Sequence, residues 1–283
     1  MEYLREEACS SDIVSLYPLI RVLWKQQTPY ADAVIAEVPT LGTCLFLDGE
    51  IQSATEDEDI YHECLVFPVM ANAFMRTRVL VVGGGEGATV REVLKWADVE
   101  AVDWVDIDAA VVGACREHLK WNQKAAYTDP RVQFHARDIR DFLYSTSKKY
   151  DVILLDLPDP DPDADPCDAA VLMNLEFWRS VKAHLAPRGS WAAHCGPVRR
   201  RGASGLAFYR RVFEELEWDM SEALAYHAVI PSFQDDWCFL MNCGSRYCSD
   251  LPAAAHAVKN QNRFLTDRAY DYVFQWAWSA RIG

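Results

Sequence analysis

The chain has little positive charge, no long apolar run and no paired-cysteine motif, and each absence removes a class of function. Lys and Arg number 28 against 42 Asp and Glu, for a formal net charge of -14. Such a surface repels nucleic acid and anionic membrane and favours the approach of small cations. No apolar stretch comes near the ~18 residues of a membrane span, and residues 1–16 are too acidic and polar for a secretory signal. The expected setting is therefore the cytoplasm, with neither a nucleic acid nor a membrane as partner. Nine cysteines are scattered without any Cys-x-x-Cys spacing. This suits a reducing compartment and argues against a zinc site or a disulfide framework, so no metal is expected and Cys243 and Cys248 read as structural. Internal repeats and low-complexity linkers are also missing. What remains is 283 residues, 51% of them hydrophobic, enough to bury one large core and a smaller one.

Residues 79–87 read Val-Leu-Val-Val-Gly-Gly-Gly-Glu-Gly, a buried strand running into a glycine loop, and a second strand delivers Asp106 about 20 residues later. That pattern is a nucleotide-binding βαβ unit. Glu86 makes it more specific: a carboxylate inside the loop cannot face a phosphate but can face a cation. The expected ligand carries a nucleoside and a positive charge rather than a pyrophosphate.

The organisation changes once, near Arg76. Before it, residues 33–38, 44–47 and 50–53 are short apolar or alternating runs separated by Leu41-Gly42 and Asp48-Gly49, which are hairpin signals. They predict a small antiparallel sheet over 28–55, followed by a helix over 60–74 interrupted by Pro68. From residue 78 strands alternate with helices: strands over 79–82, 101–106, 132–135, 152–156 and 190–195, helices over 88–96 and 109–121, and a late strand over 237–242. Repeated βα units imply a parallel sheet with helices on both faces, an α/β fold. The expected division is 1–75 for the amino-terminal β domain with its connecting helix and 76–283 for the catalytic domain. Residues 158–167, rich in Pro and Asp, are expected to form no regular structure.

Ligands of open α/β sheets bind at the carboxyl ends of the strands. Gly83, Gly84, Gly85, Glu86, Gly87, Asp106, Asp138, Asp156 and Asp159 all fall there. Asp106 reads either as an acceptor for ribose hydroxyls or as a solvated loop acid, and its spacing favours the first. Asp108 is expected to cap the following helix. Asp138 reads equally as a partner of an adenine amino group or as the cap of a helix from Ile139.

The segments 49–65 (Gly-Glu-Ile-Gln-Ser-Ala-Thr-Glu-Asp-Glu-Asp-Ile-Tyr-His-Glu-Cys-Leu), the Gly-Gly-Gly-Glu-Gly loop, 105–108 (Val-Asp-Ile-Asp) and 156–160 (Asp-Leu-Pro-Asp-Pro) resemble the polyamine aminopropyltransferases, the spermidine synthase group. Asn122-Gln123 and residues 230–237 (Ile-Pro-Ser-Phe-Gln-Asp-Asp-Trp) are most similar to the plant-type thermospermine synthases. The resemblance implies a methyltransferase-like Rossmann domain behind a small amino-terminal antiparallel β domain, and a homodimer or homotetramer. It implies transfer of the aminopropyl group of decarboxylated S-adenosylmethionine, a co-substrate rather than a prosthetic group, to spermidine, with release of methylthioadenosine. Carried over by position, Asp159 is the general base, Asp156 the neighbouring acid that contacts the donor or its aminopropyl chain, and Tyr61 a catalytic-site residue that shapes the shared donor and acceptor cleft. Two carboxylates at one strand end are expected to raise each other's pKa. The donor site comprises Gln52, His62, Gly83, Gly84, Gly85, Glu86, Asp106, Ile107, Asp138, Ile139 and Asp156. Tyr61, Asp159, Phe233, Asp235 and Trp237 are implied to hold the acceptor, whose methylenes and ammonium groups suit aromatic walls.

The chain departs from the family pattern in places. Ala31 follows Tyr30 where many members have Gln, with Gln26 or Gln27 as possible substitutes, and residues 163–166 make the loop after Asp159 unusually acidic. The run at 199–201 reads as a solvated helix entry, and the last 30 residues match the family poorly. Spermidine or spermine synthesis by the same chemistry, an S-adenosylmethionine-dependent methyltransferase and an inactive homologue are the alternatives. Methyltransferases commonly carry an acid before the first glycine, where this chain has Val82.

Overall fold

The computed structural model describes residues 2–7, 14–119, 121, 125–158, 174–198, 205–219, 222–242, 253–266, 269, 273 and 278–279. Strands β1 (Tyr3–Glu7) and β2 (Val14–Pro18) form an antiparallel ribbon, and β3 (Arg21–Gln27), β4 (Asp32–Val38), β5 (Gly42–Leu47) and β6 (Glu50–Ala54) an antiparallel meander. Asp48 and Gly49, at φ 51° and 88°, make the tight turn between β5 and β6, where right-handed strand twist demands two positive φ values. The sheet thus reaches back to Arg21. The ribbon and β3 carried no clear alternation, because most of β3 is exposed and its pairing with β4 defines it.

Helix α1 (Glu58–Asn72) follows and is buried on almost every side, as a helix without a polar face must be. Pro68 does not interrupt it. Proline's missing N–H leaves the Cys64 carbonyl open, and the Tyr226 hydroxyl donates to that oxygen at 2.7 Å.

The rest alternates as expected: β7 (Arg78–Gly83), α2 (Ala88–Leu94), β8 (Ala101–Asp106), α3 (Ala109–His118), α4 (Ala125–Thr128), β9 (Val132–Ala136), α5 (Ile139–Ser145), β10 (Tyr150–Asp156), α6 (Leu175–His184), β11 (Leu185–Pro197), α7 (Gly205–Glu215), β12 (Ala223–Ile230), β13 (Asp235–Asn242), α8 (Ala253–Lys259) and β14 (Trp278–Ser279). The strand order is β14-β12-β13-β11-β10-β7-β8-β9, parallel from β11 to β9 and antiparallel elsewhere. Successive residues of β7 enter opposite cores. Val79 and Val81 pack with α1, whereas Leu80 and Val82 pack with α5, α6 and α7, so a strand covered on both faces reads as one apolar run.

The small sheet is held against this domain by Ala33, Ile35 and Leu45 packed on Val111, Ala114 and Cys115 of α3 and on Leu119 just after it. The Thr28 hydroxyl adds a 2.5 Å hydrogen bond to Asp108. The carboxyl-terminal segment is tied down by buried Glu63, which accepts from the backbone N–H groups of Arg263, Phe264 and Leu265 at 2.7, 2.9 and 2.7 Å. Three amide donors to one carboxylate replace the hydration that burial removes. Among the described residues no helix is long and apolar enough to cross a membrane.

Candidate active site

The central strand β7 pairs with β8 on one side and β10 on the other, so the order in which strands are added to the sheet reverses at it, and a crevice opens outside its carboxyl end. Gly83 and Gly84 turn the chain there at φ 77° and 64°, and Gly83 sits in register with Asp156. A Cβ at Gly83 would stand 1.9 Å from the Asp156 carbonyl oxygen, and one at Gly84 2.6 Å from Asp156 Oδ2. At Gly85 it would meet Asp106 Oδ2 at 3.2 Å. The glycines therefore let the loop lie directly on the two acidic strand ends, a reason for the triple glycine beyond any ligand.

Asp156 is gripped from two helices. Its Oδ1 accepts from the Tyr61 hydroxyl at 2.7 Å and its Oδ2 from the Thr89 hydroxyl at 2.6 Å. Tyr61 and Asp156 are thus brought together as expected. Thr89, two residues past the loop, was not anticipated, since a threonine in a first helical turn carries no distinctive signal. Asp159 lies outside the described residues, as do Asn122, Gln123, Cys243, Cys248 and residues 199–201.

Glu86 faces a cation, but the cation is the protein's own. Its Oε1 lies 3.2 Å from His62 Nε2, while His62 Nδ1 lies 3.1 Å from Glu58 Oε2 and 2.6 Å from the Glu58 carbonyl oxygen. Arg91 closes the chain behind with bonds of 3.0 and 2.8 Å to the Glu58 carboxylate. Burial alone would lower the His62 pKa, yet hydrogen bonds to Glu58 and Glu86 carry it up to about 10. The imidazole is a fixed imidazolium at neutral pH. Glu58 in turn is held down to about 2 by His62 and Arg91 against the opposing effect of burial. Glu58 and Arg91 were not read from the sequence as parts of the site; a buried Glu four residues before a His was the available signal. The inference from Glu86 to a cationic ligand is correspondingly weakened, because His62 matches much of that charge.

Asp106 ends β8 beside the loop. Desolvation pushes its carboxyl up to about 7, helped by Glu86, Asp108 and Asp156 and opposed by a 2.8 Å bond from the Asp108 N–H. Asp108 caps α3 through the Ala110 and Val111 N–H groups, as expected. Asp138 caps α5 through the Arg140 N–H at 2.7 Å, and the Arg140 guanidinium covers its carboxylate at 2.5 to 3.1 Å. Of its two readings the cap is realised, and an adenine amino group would compete with Arg140. Ile107 is exposed at the strand end and Ile139 is buried in the core.

The Asp106 shift sets up a pH test. A carboxyl with a raised folded-state pKa lends stability that is lost as pH rises through about 7, and ribose hydroxyls favour its ionised form. If Asp106 accepts from a ribose, as the resemblance implies, binding of methylthioadenosine should release a proton near pH 7 and weaken roughly tenfold from pH 8 to pH 6. Calorimetry in buffers of different ionisation enthalpy measures both; a pH-independent affinity removes Asp106 from the ribose contact.

The side expected to meet the acceptor is aromatic. Phe233, in the 3-10 turn Pro231–Phe233, has its ring centroid 4.8 Å from that of Trp237 and 5.8 Å from that of Tyr61. His194 stacks on Trp237 at 5.9 Å and bonds the Leu157 carbonyl through Nε2, a neighbour the sequence did not advertise. Asp235 accepts from the Asp236 N–H at 2.9 Å. Gln52 lines the adjoining cavity beside Tyr61 and His62, and its amide donates to the Glu50 carbonyl. At the departure from the family pattern, Ala31 sits in a turn organised by the Thr28 hydroxyl, and the Gln27 amide lies on the Thr28 carbonyl at 3.4 Å.

The spermine/spermidine synthase domain matches residues 58–249, and the chain belongs to that family, the polyamine aminopropyltransferases. It is 40% identical over 217 residues to a polyamine aminopropyltransferase of Synechococcus sp. (strain JA-2-3B'a(2-13)), covering 75% of this chain and 68% of the relative. It is 44% identical over 259 residues to polyamine aminopropyltransferase 2 of Hyperthermus butylicus, covering 88% and 81%. Thermospermine synthase ACAULIS5 of Arabidopsis thaliana is 32% identical over 241 residues, covering 83% and 68%. The fold matches a spermidine synthase in complex with the transition-state analogue AdoDATO at TM-score 0.81 and 22% identity, covering 96% of this chain and 91% of the other.

Proposed function

We propose that the protein moves the aminopropyl group of decarboxylated S-adenosylmethionine to spermidine, giving thermospermine and methylthioadenosine. The observation that carries the reading is the Asp156 carboxylate, oriented by Tyr61 and Thr89 against the glycine loop, in a chain of this family. A sulfonium makes the adjacent carbon electrophilic without further activation, so the protein's tasks are alignment and supply of a neutral amine. Asp159 as general base takes a proton from the acceptor ammonium, the freed lone pair forms the new C–N bond, and the C–S bond breaks with its electrons returning to sulfur. Asp156 orients the aminopropyl end, Asp106 accepts from the ribose, and Ile107, Asp138 and Ile139 frame the base.

The Phe233 and Trp237 wall supports an acceptor longer than putrescine, since it offers methylenes an apolar face and ammonium groups aromatic rings. Spermidine should have a kcat/KM above that of putrescine, and chromatography that separates thermospermine from spermine identifies the product. A preference for putrescine makes the protein a spermidine synthase of the same chemistry. The methyltransferase reading is served less well, because the amino-acid carboxylate of S-adenosylmethionine would meet Glu86. Decarboxylated donor should bind at least about tenfold more tightly than S-adenosylmethionine, and Glu86→Gln should narrow the gap. Equal calorimetric affinities in the wild type count against this use of Glu86.

A further inference from the structure

The turn over 28–31, between β3 and β4, is fastened to the Rossmann-like domain through the Thr28 side chain. The Thr28 hydroxyl oxygen accepts from the N–H groups of Tyr30 and Ala31 at 3.1 and 3.0 Å, and the Thr28 N–H donates to the Ala31 carbonyl at 2.9 Å. These bonds fold and close the turn. The hydroxyl's one hydrogen has two acceptors in reach, the Ala31 carbonyl at 3.2 Å and Asp108 Oδ2 at 2.5 Å, and the shorter, charge-assisted bond is the stronger. Thr28 and Asp108 are both buried, so bulk water has little access to that bond.

Asp108 passes the constraint on to the end of β8. Its Oδ1 accepts from the Ala110 and Val111 N–H groups at 3.0 and 3.1 Å while Oδ2 is held by Thr28, so the carboxylate is fixed through both oxygens. The Asp108 N–H in turn donates to Asp106 Oδ1 at 2.8 Å. Asp106 Oδ2 is left on the side of the glycine loop, 3.2 Å from where a Cβ on Gly85 would stand. The turn of the small sheet is thus joined, through Asp108, to the carboxylate at which a ribose is expected. The apolar packing of Ala33, Ile35 and Leu45 on α3 does not involve the hydroxyl, so the tie can be cut while the two sheets stay together.

We propose that Thr28 is a positioning residue for the nucleoside: through Asp108 it holds Asp106 with Oδ2 aimed at the ribose, and so makes the turn of the small sheet part of the donor site. A carboxylate already fixed in place binds a hydroxyl more tightly than one that must be ordered as the ligand arrives. Linkage requires the converse as well. A ribose that bonds Asp106 must stabilise the turn by as much as the turn favours the ribose. The proposal rests on the aminopropyl-transfer reading, from which the ribose contact of Asp106 comes, and deepens it by assigning a task to the small sheet.

The test uses the full chain with Thr28→Val, which keeps the shape but loses the hydroxyl, and Thr28→Ser, which keeps the hydroxyl. By calorimetry, methylthioadenosine should bind Thr28→Val at least about fivefold more weakly than wild type and Thr28→Ser within about twofold, as expected when a hydrogen bond to a charged group is lost or kept. In a transfer assay the Thr28→Val loss should fall on the KM for decarboxylated S-adenosylmethionine, with kcat within about threefold, because saturating donor restores the ordered site. Methylthioadenosine should also slow hydrogen exchange at the Tyr30 and Ala31 amides of wild type and Thr28→Ser but not of Thr28→Val, a dependence on ligand that a role in folding alone would not produce. Unchanged affinity in a folded Thr28→Val overturns the proposal, as does wild-type exchange at the turn that ignores the ligand or a wild type that does not bind methylthioadenosine. Should Thr28→Val melt below the assay temperature, exchange in the wild type decides alone. A wild type that protects the turn on binding methylthioadenosine but transfers no aminopropyl group would leave the role of Thr28 standing and remove the proposed activity.

Discussion

Asp159→Asn should lower kcat by ~10² to 10⁴, the usual contribution of a positioned general base, while the affinity for methylthioadenosine stays within about twofold. Asparagine preserves shape and an accepting oxygen but takes no proton. An amine already neutral in solution bypasses that loss, so the variant should recover part of its rate as pH rises toward the acceptor's own pKa, whereas wild type levels off earlier. Steady-state rates from pH 7 to pH 10 measure both effects. Near wild-type turnover at neutral pH would pass the base role to Asp156 or Tyr61, the two groups already joined at 2.7 Å.

Arg91→Met should destabilise the protein by about 3–5 kcal/mol, the effect of removing one partner from a buried ion pair. Arg91 bonds the Glu58 carboxylate, which is 1% exposed, at 3.0 and 2.8 Å and Glu92 at 2.9 Å, and methionine leaves Glu58 with His62 and a longer 3.9 Å contact to Arg263. Denaturant unfolding at pH 7 reads the loss; one below about 1 kcal/mol would mean the network adds little. The same network shapes the pH profile. The folded-state pKa of His62 is raised, so its contribution is complete below the unfolded value near 6.5 and disappears as pH rises through about 10. Glu58 has the opposite sign: its contribution is present above its unfolded value and is lost as pH falls toward about 2. His62→Gln should therefore flatten the loss of stability between pH 7 and pH 10. An unchanged alkaline limb would place the titration elsewhere.

Parts of this arrangement are legible in the residues alone because they depend on neighbours in the chain. The strand over 101–106 coincides with β8, and the glycine loop announces itself because glycine takes positive φ at no steric cost beside a strand end. The hairpin at Asp48-Gly49 and the cap at Asp108 are equally local. Where a segment's state depended on a distant partner, the residues were mute. Strand β12 went unrecognised because it is defined by β13 and β14 on either side, and the continuity of α1 past Pro68 rests on a hydroxyl 162 residues away from Cys64.

By its own pattern the sequence determined an α/β chain with a glycine loop after its central strand, carboxylates at the strand ends and an aromatic segment at 230–237, because periodicity, turn residues and short motifs act over a few residues. It could not determine which carboxylates are free to meet a ligand. Glu86, Asp138 and Asp57 are all acidic residues at loop or helix-start positions, yet the fold gives Glu86 to His62, covers Asp138 with Arg140 and sets Asp57 against the Ser232 N–H. The physical reason is that the availability of a charge is settled by burial and by the nearest opposite charge. For Glu86 and Asp57 those neighbours come from elements far apart in the chain, and only tertiary packing brings them together.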